Sequence, residues 1–338
     1  MKSWRIKDSF SIDALGLDDV AGPVCGDREV VVRVGAVSLN YRDLLVAKGL
    51  YSKKLPLPLT ICSDCAGVVT ATGPGVERFK PGERVCAAFM SAWLDGPVDE
   101  AKARSALGAF SQGVLAEQVC FHEDALVSIP AHLTDEEAAT LPCAAVTAWN
   151  ALVASGELRA GDTVLTQGTG GVSIFALQFA KALGAVVIAT TSSDAKVERL
   201  KLLGADHTIN YVSTPDWEEA ARRLAGGRGV DHVVEVGGSA TFNKSVRAVR
   251  MGGRVSLIGN RAAGSAEVNL TSVLMKGVCV QGIFVGSSAM FEGMNAAIAI
   301  HRIRPVVDRV FAMDQARDAL RYFDGGSHFG KVCIRVGE

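Results

Sequence analysis

The residues with the clearest chemical potential are Gly168-Thr169-Gly170-Gly171-Val172-Ser173. They follow the strand 163–167 and open an apolar helix whose only polar members up to Leu183 are Gln178 and Lys181. A glycine-rich turn between a strand and a helix suits a dinucleotide. Gly168 permits the tight turn, Gly170 lets backbone approach a pyrophosphate, and the helix start offers free N–H groups with a partial positive charge. Ser173 holds the third position; it is small enough for close packing, and its hydroxyl is a further donor to a phosphate. A plain turn is the competing reading, but the flanking strand, the apolar helix and the strand after it favour a cofactor loop. That next strand, VVIATT, ends on Thr191, where an NAD enzyme would place an acid for the ribose 2′-hydroxyl. Ser192, Ser193 and Lys196 would offer a 2′-phosphate hydroxyls and a cation, and Asp194 reads as a helix cap. NADP(H) is therefore favoured over NAD(H). Taken alone, Lys196 is equally compatible with an exposed helix lysine.

A second candidate cluster is Cys62-Ser63-Asp64-Cys65, a CxxC that could join Cys143 around a metal. Positions i and i+3 of an alternating strand point to opposite faces, and no second CxxC exists, so no metal site is expected. The eight cysteines are dispersed, several in strand-like runs such as RVCAAF and KVCIRV. That pattern suggests buried reduced thiols rather than a disulfide framework.

These residues must be positioned by about two domains, given 338 residues. From residue 29, EVVVRVGAVSL reads as a long strand, followed by strands at AGVVTATG, ERVCAAF, GVLAEQVCF and ALVSIP, with a helix over 42–48. Short strands punctuated by Gly and Pro make the first 125 residues an all-β, barrel-like unit. At Thr134 a capping box with Glu137 opens a helix expected to run through to Val153. After Gly161, β and α alternate, with strands at TVLTQ, VVIATT, HTINY, VDHVVEV, RVSLIG and VCVQGIFV and helices over 172–183, 195–203, 215–224 and 240–250. Six Val/Ile-rich strands fit a doubly wound parallel sheet. The tail from about Ser287 reads helix, strand, helix, strand; local pattern does not decide whether it extends that sheet or returns to the first domain.

With 35 basic and 36 acidic residues, the net charge of -1 gives no long-range field for nucleic acid or anionic membrane. The most apolar stretch, 172–191, is broken by Gln178, Lys181 and Gly184, so no membrane span is expected. The balanced charge favours a small-molecule substrate, and an N-terminus with charges every few residues and no apolar signal core implies a cytoplasmic protein.

The segments SLNYRDLLVAKGLY, AGVVTATGPGVERFKPGERV, LPCAAVTAWNAL, QGTGGVS, LGADHTINY and FGKVCIRV resemble the medium-chain dehydrogenase/reductase superfamily, nearly end to end and in its order. The resemblance implies an α/β protein: a GroES-like β-barrel catalytic domain from residues 1–125, a six-stranded Rossmann domain from 126–286, and a segment 287–338 returning to the catalytic domain. It also implies a homodimer extended through VCVQGIFV. The zinc enzymes of this superfamily ligate metal with a Cys after the first long strand, a His in Gly-His-Glu, and a later Cys. This chain has Asn40 and Ser63 at the first two positions, and only Cys143 matches. Residues 87–119 contain no Cys, so the structural zinc lobe is missing too.

The zinc-free pattern resembles quinone oxidoreductases and enone- or enoyl-reducing relatives. By that resemblance Asn40, Tyr51 and Thr147 fall near nicotinamide and substrate, Lys196 and Tyr211 near the 2′-phosphate. The competing readings are a strand-end packing aromatic for Tyr211 and a loop anchor for Tyr51. Arg42 replaces a proton-relay hydroxyl and suits an ion pair or a phosphate; Asp43 suits a helix first turn. The expected activity is NADPH-dependent hydride transfer to a quinone or an α,β-unsaturated carbonyl. Two alternatives stand: an alcohol dehydrogenase or carbonyl reductase of the zinc-type family, and a non-catalytic NADPH-binding regulatory protein.

Overall fold

A computed structural model describes residues 1–52, 54–259 and 267–337. The chain divides into two compact units, one of residues 1–146 with 286–338 and the other of residues 147–285. In the first unit, strands β1 (Lys2–Ile6), β2 (Leu15–Asp19) and β4 (Leu59–Thr60) form a small antiparallel sheet in the order β2-β1-β4. A larger sheet contains β3 (Glu29–Ser38), β5 (Asp64–Thr72), β6 (Arg84–Ala87), β7 (Gln118–His122), β8 (Leu126–Ser128), β15 (Val307–Ala312) and β16 (Lys331–Arg335). Its order is β15-β16-β3-β5-β6-β8, with β7 also on β3.

The Val-rich strand β3, ten residues long, organises this sheet. One of its edges pairs with β5 along nearly its whole length. The other edge is shared: residues 29–33 take β7 and residues 36–38 take β16. The approach of β5 is close enough that a Cβ on Gly67 would sit 2.1 Å from the Arg33 carbonyl oxygen, so only glycine fits there. Val32, Val34, Val37, Leu115, Phe121, Leu320, Val332 and Ile334 are among the side chains that fill the core of this unit.

In the second unit β9 (Thr163–Thr166), β10 (Val186–Thr191), β11 (His207–Asn210), β12 (Val230–Glu235), β13 (Val249–Leu257) and β14 (Cys279–Gly282) form one all-parallel sheet. Its order, β11-β10-β9-β12-β13-β14, reverses direction beside β9, which is the doubly wound arrangement that places ligands at strand carboxyl ends. The helix Gly171–Ala182 buries Ile174, Phe175, Leu177 and Phe179, and the last pair of rings stacks at 5.9 Å. Trp217, Phe242 and Val246 join Leu165, Ile188, Val233 and Val255 in this unit's core.

Three local expectations change. The helix opening at Thr134 keeps its capping box but is not a continuous α-helix: α-turns at Asp135–Ala138 and Val146–Trp149 alternate with π-turns at Leu141–Ala145 and Asn150–Ala154. Pro142 lacks the N–H that an uninterrupted helix needs. The helix expected over 240–250 ends at Ala248, because Val249 already begins β13. Strands β1 and β2 have only weak alternation and were not expected from the sequence.

Candidate active site

In the first unit the ends of β3, β5 and β16 bring polar side chains together inside an apolar core. Cys333 of β16 and Asp64 of β5 both pair with Ser38 of β3. Continuing those registers beyond the strand puts Lys331 and the Cys62–Ser63 segment on either side of Asn40, and the Leu39 N–H still donates to the Val332 carbonyl at 2.9 Å. Asn40 also starts the helix Tyr41–Ala47, and its backbone N–H donates to Asp43 Oδ2 at 2.7 Å.

A hydrogen-bond chain results. Lys331 Nζ donates to Asn40 Oδ1 at 2.6 Å and to the Leu39 carbonyl at 2.5 Å. Asn40 Nδ2 lies 3.4 Å from Ser63 Oγ, which donates to Asp64 Oδ1 at 2.7 Å. Asp64 Oδ2 accepts the Cys143 backbone N–H at 3.0 Å. Lys331, Asn40, Ser63 and Asp64 are all buried. Burial raises the Asp64 carboxyl above its ordinary pKa, against the pull of Lys331 and its hydrogen bonds. Burial also pushes Asp43 up to about 6, against the pull of neighbouring Arg42.

Arg42 is nearly as enclosed as these groups, with a side chain 10% exposed. Its guanidinium lies 4.6 Å from the Phe89 ring centroid and 5.7 Å from that of Tyr51, and it donates to the Leu107 carbonyl. Its nearest acid is Asp43, at 3.9 Å. Tyr51, half-buried just beyond the same helix, also meets Phe110 with ring centroids 6.3 Å apart. Asn40 and Tyr51 thus belong to one unit, flanking one helix. Thr147, buried, belongs to the other unit.

The dinucleotide loop lies at the carboxyl end of β9. Gly168 has φ +71°, a left-handed conformation that favours glycine, and a Cβ on either Gly168 or Gly170 would point into open space. Gly170 caps the Gly171–Ala182 helix without a side-chain partner for the helix N–H groups. An open cradle at a helix N-terminus fits a pyrophosphate, with Gly171 and Val172 in the first turn. The Ser173 hydroxyl does not have the role the sequence suggests, since it donates to the Gln167 carbonyl at 2.6 Å. What Ser173 offers a phosphate is its backbone N–H.

Lys196 Nζ reaches Thr169 Oγ1 of this loop at 3.3 Å, which brings the cation beside the cradle. Asp194 accepts from Asn210 Nδ2 at 2.7 Å, and Thr191 Oγ1 accepts the Ser193 N–H at 3.2 Å. Ser192 is exposed and Ser193 half-buried, while Tyr211 is exposed at the end of β11 rather than packed under a helix. The loop fits a dinucleotide, with Lys196 beside it, and the Tyr211 N–H donates to the Thr191 carbonyl at 2.9 Å.

Sequence reasoning missed the network that supports the loop. Glu235, fully buried at the end of β12, accepts from Gln167 Nε2 at 2.8 Å, Thr241 Oγ1 at 2.5 Å and the N–H groups of Gly237 and Gly238 at 2.8 and 2.9 Å. Ser245 Oγ donates to it as well. Lys331 was missed too. The available signal for both was a charged residue at the end of a strand, Glu235 in VDHVVE and Lys331 in KVCIR.

The sequence pattern of Alcohol dehydrogenase GroES-like domain matches residues 26–131, and that of Zinc-binding dehydrogenase matches residues 171–299. The chain is 46% identical over 314 residues to the zinc-type alcohol dehydrogenase-like protein C1773.06c of Schizosaccharomyces pombe, covering 91% of each. The chain belongs to the medium-chain dehydrogenase/reductase superfamily. Its two units are the GroES-like domain and the Rossmann domain of that superfamily. An acryloyl-coenzyme A reductase of Metallosphaera sedula is 30% identical over 328 residues, covering 94% of this chain and 95% of the relative. A crystal structure of a putative alcohol dehydrogenase from Sinorhizobium meliloti 1021 superposes with a TM-score of 0.92 at 41% identity, covering 99% of this chain and 98% of that one. As a member of the superfamily the protein is an oxidoreductase that binds a nicotinamide dinucleotide.

The superfamily's zinc does not fit the residues at its positions. Asn40 Oδ1 holds an ammonium group at 2.6 Å, which would repel a divalent ion. The Ser63 hydroxyl is turned toward Asp64, and burial drives the Cys62 and Cys143 thiols well above their ordinary pKa, away from the thiolate that zinc requires. Among the described residues no three His, Cys, Asp or Glu side chains gather in a way that could hold a metal ion.

Proposed function

We propose that the protein is an NADPH-dependent, zinc-independent reductase of quinones or α,β-unsaturated carbonyl compounds. The observation that carries this reading is the hydrogen-bond chain from Lys331 through Asn40 and Ser63 to Asp64, which occupies the superfamily's metal position. Oxidising an alcohol requires stabilising an alkoxide-like oxygen, for which a metal is the usual means. Adding hydride to a conjugated carbonyl instead moves negative charge onto a remote oxygen, and fixed donors can stabilise an enolate or phenolate. Bound NADPH supplies the hydride, carrying both electrons and one hydrogen. Asn40 Nδ2 donates to the oxygen that gains charge, and Tyr51 or water supplies the balancing proton. Thr147 completes the proposed substrate residues. Gly168, Gly170, Gly171, Val172 and the Ser173 backbone hold the pyrophosphate, with Ser192, Ser193, Lys196 and Tyr211 reading the 2′-phosphate.

The relative that acts on acryloyl-coenzyme A supports the conjugated-carbonyl side of this reading. Alcohol oxidation is the second reading, favoured by the names of the S. pombe and S. meliloti proteins. The edge strand β14, with Val280 and, just beyond the strand, Phe284 partly exposed, supports a homodimer built across that edge.

The test is a panel of quinones, enones, enoyl thioesters and alcohols, assayed with NADPH and with NADH, in a chelator and alongside elemental analysis. NADPH oxidation by conjugated acceptors without zinc is the expected result, and Tyr51→Phe should lower turnover more than NADPH affinity. Alcohol oxidation as the best reaction, or loss of activity with about one zinc per chain removed, refutes the reading. NADPH binding without turnover of any acceptor establishes the non-catalytic alternative.

A further inference from the structure

In the proposed reaction the buried ammonium of Lys331 does not itself meet the substrate. Its neighbours are the Leu39 carbonyl and the Asn40 carboxamide, and it is 3% exposed. An ammonium has hydrogens only to give, so the Asn40 atom facing it must be the oxygen. The amide nitrogen is thereby turned the other way, toward Ser63. Ser63 gives its own hydrogen to Asp64, so toward Asn40 it presents a lone pair. Every donor in the chain therefore points from Lys331 toward Asp64, from the buried cation to the buried acid. The Asn40 amide nitrogen thus faces Ser63 and hydrogen-bonds the Asp64 carboxyl as well, both on the side away from Lys331.

We propose that Lys331 is the positioning residue of the active site: it locks the carboxamide of Asn40 with its N–H groups turned away from the cation and polarises it as a donor to the substrate oxygen. This inference rests on the reading of Asn40 as the group that meets that oxygen. Without the cation, the carboxamide can turn over about its terminal torsion, which has two broad, roughly equivalent wells, and present an oxygen to an oxygen. The Asp64 carboxylate would also lose the cation that opposes its burial. Lys331 does this from β16, near the far end of the chain from Asn40, because β3 leaves residues 36–38 of one edge for β16.

The experiment compares Lys331→Met, Lys331→Arg, Asn40→Ala and the Lys331→Met/Asn40→Ala double variant in the intact enzyme. Steady-state rates use an enone and NADPH, and NADPH affinity is measured by fluorescence titration. Lys331→Met should lower kcat about tenfold or more with NADPH affinity changed less than twofold, Lys331→Arg should restore part of the rate, and Lys331→Met should add nothing on Asn40→Ala. Independent losses in the double variant, or a loss confined to NADPH affinity, overturn the proposal. Selective ¹⁵N labelling of asparagine supplies a readout that needs no acceptor. The Asn40 carboxamide signals, assigned by their absence in Asn40→Ala, should shift in both Lys331 variants and exchange hydrogen faster in Lys331→Met. Unmoved signals overturn the proposal even where an acceptor turns over; shifted signals with no turnover of any acceptor uphold the lock and refute the proposed reaction instead.

Discussion

Replacing Glu235 by Gln should destabilise the Rossmann domain far more than its small change in shape suggests. The carboxylate is fully buried and accepts from Gln167, Ser245, Thr241 and the N–H groups of Gly237 and Gly238. A glutamine turns one of its two acceptor oxygens into a donor. If the new NH₂ faces Gly237 and Gly238, it meets two backbone N–H groups that cannot rotate. If it faces the other way, it meets Gln167 Nε2, whose own reversal is opposed because Gln167 Oε1 accepts from Val236 and Gly237 at 3.3 and 3.4 Å. At least one buried donor is left facing a donor, at about 1 to 3 kcal/mol, and the remaining bonds lose the strength of a charged acceptor, bringing the total to about 3 kcal/mol. With a urea slope of about 2 kcal/mol per M, the unfolding midpoint of this domain should fall by about 1.5 M. Because Gln167 directly precedes Gly168, NADPH should also bind several-fold more weakly. Urea unfolding followed by circular dichroism, with a parallel NADPH titration, measures both. A midpoint shift under about 0.2 M would mean that the network contributes little, and the reasoning from donor count would be wrong.

Other expected outcomes address the cofactor loop and the buried acids. Lys196→Ala should raise the Michaelis constant for NADPH about tenfold and leave that for NADH nearly unchanged, since a charged hydrogen bond is worth about 1.5 to 3 kcal/mol; equal weakening for both would remove Lys196 from the 2′-phosphate. Gly170→Val should fold normally, because Gly170 has φ −77° and ψ 175° and a Cβ there meets nothing, yet lose NADPH binding by at least about tenfold as the cradle fills. Unchanged NADPH affinity in that variant would place the pyrophosphate elsewhere. Asp43 is raised from 3.8 to about 6 by burial, so between those values the unfolded chain releases this proton while the folded one keeps it. Its contribution to stability therefore falls as pH rises through that window, by about 3 kcal/mol in all, and is fully lost above it. Urea unfolding at pH 4 and pH 7 should show wild type losing that much relative to Asp43→Asn; a difference independent of pH would contradict the raised value.

What the sequence determined by itself is what local pattern carries. The β-α alternation after Gly161 specified all six Rossmann strands, most plainly the inner ones, because buried parallel strands are rich in Val and Ile. The loop Gly168 to Ser173 was legible too: a left-handed turn between strand and helix demands glycine. The loss of metal ligands at Asn40 and Ser63 could also be read from residue type, given the superfamily's order. Tertiary structure alone decided what surrounds those two residues. Lys331 stands almost 300 residues from Asn40, and only the register of β16 on β3 sets the two side by side. Nothing in FGKVCIRV shows that its lysine is buried, since burial depends on which strand lies next to it. Ser173 shows the same limit on a smaller scale: its spacing suggested a phosphate donor, but the folded turn brings its hydroxyl onto the Gln167 carbonyl. Hydrogen bonds among buried side chains depend on distances of a few tenths of an ångström between distant parts of the chain, and those distances exist only once the sheets have closed.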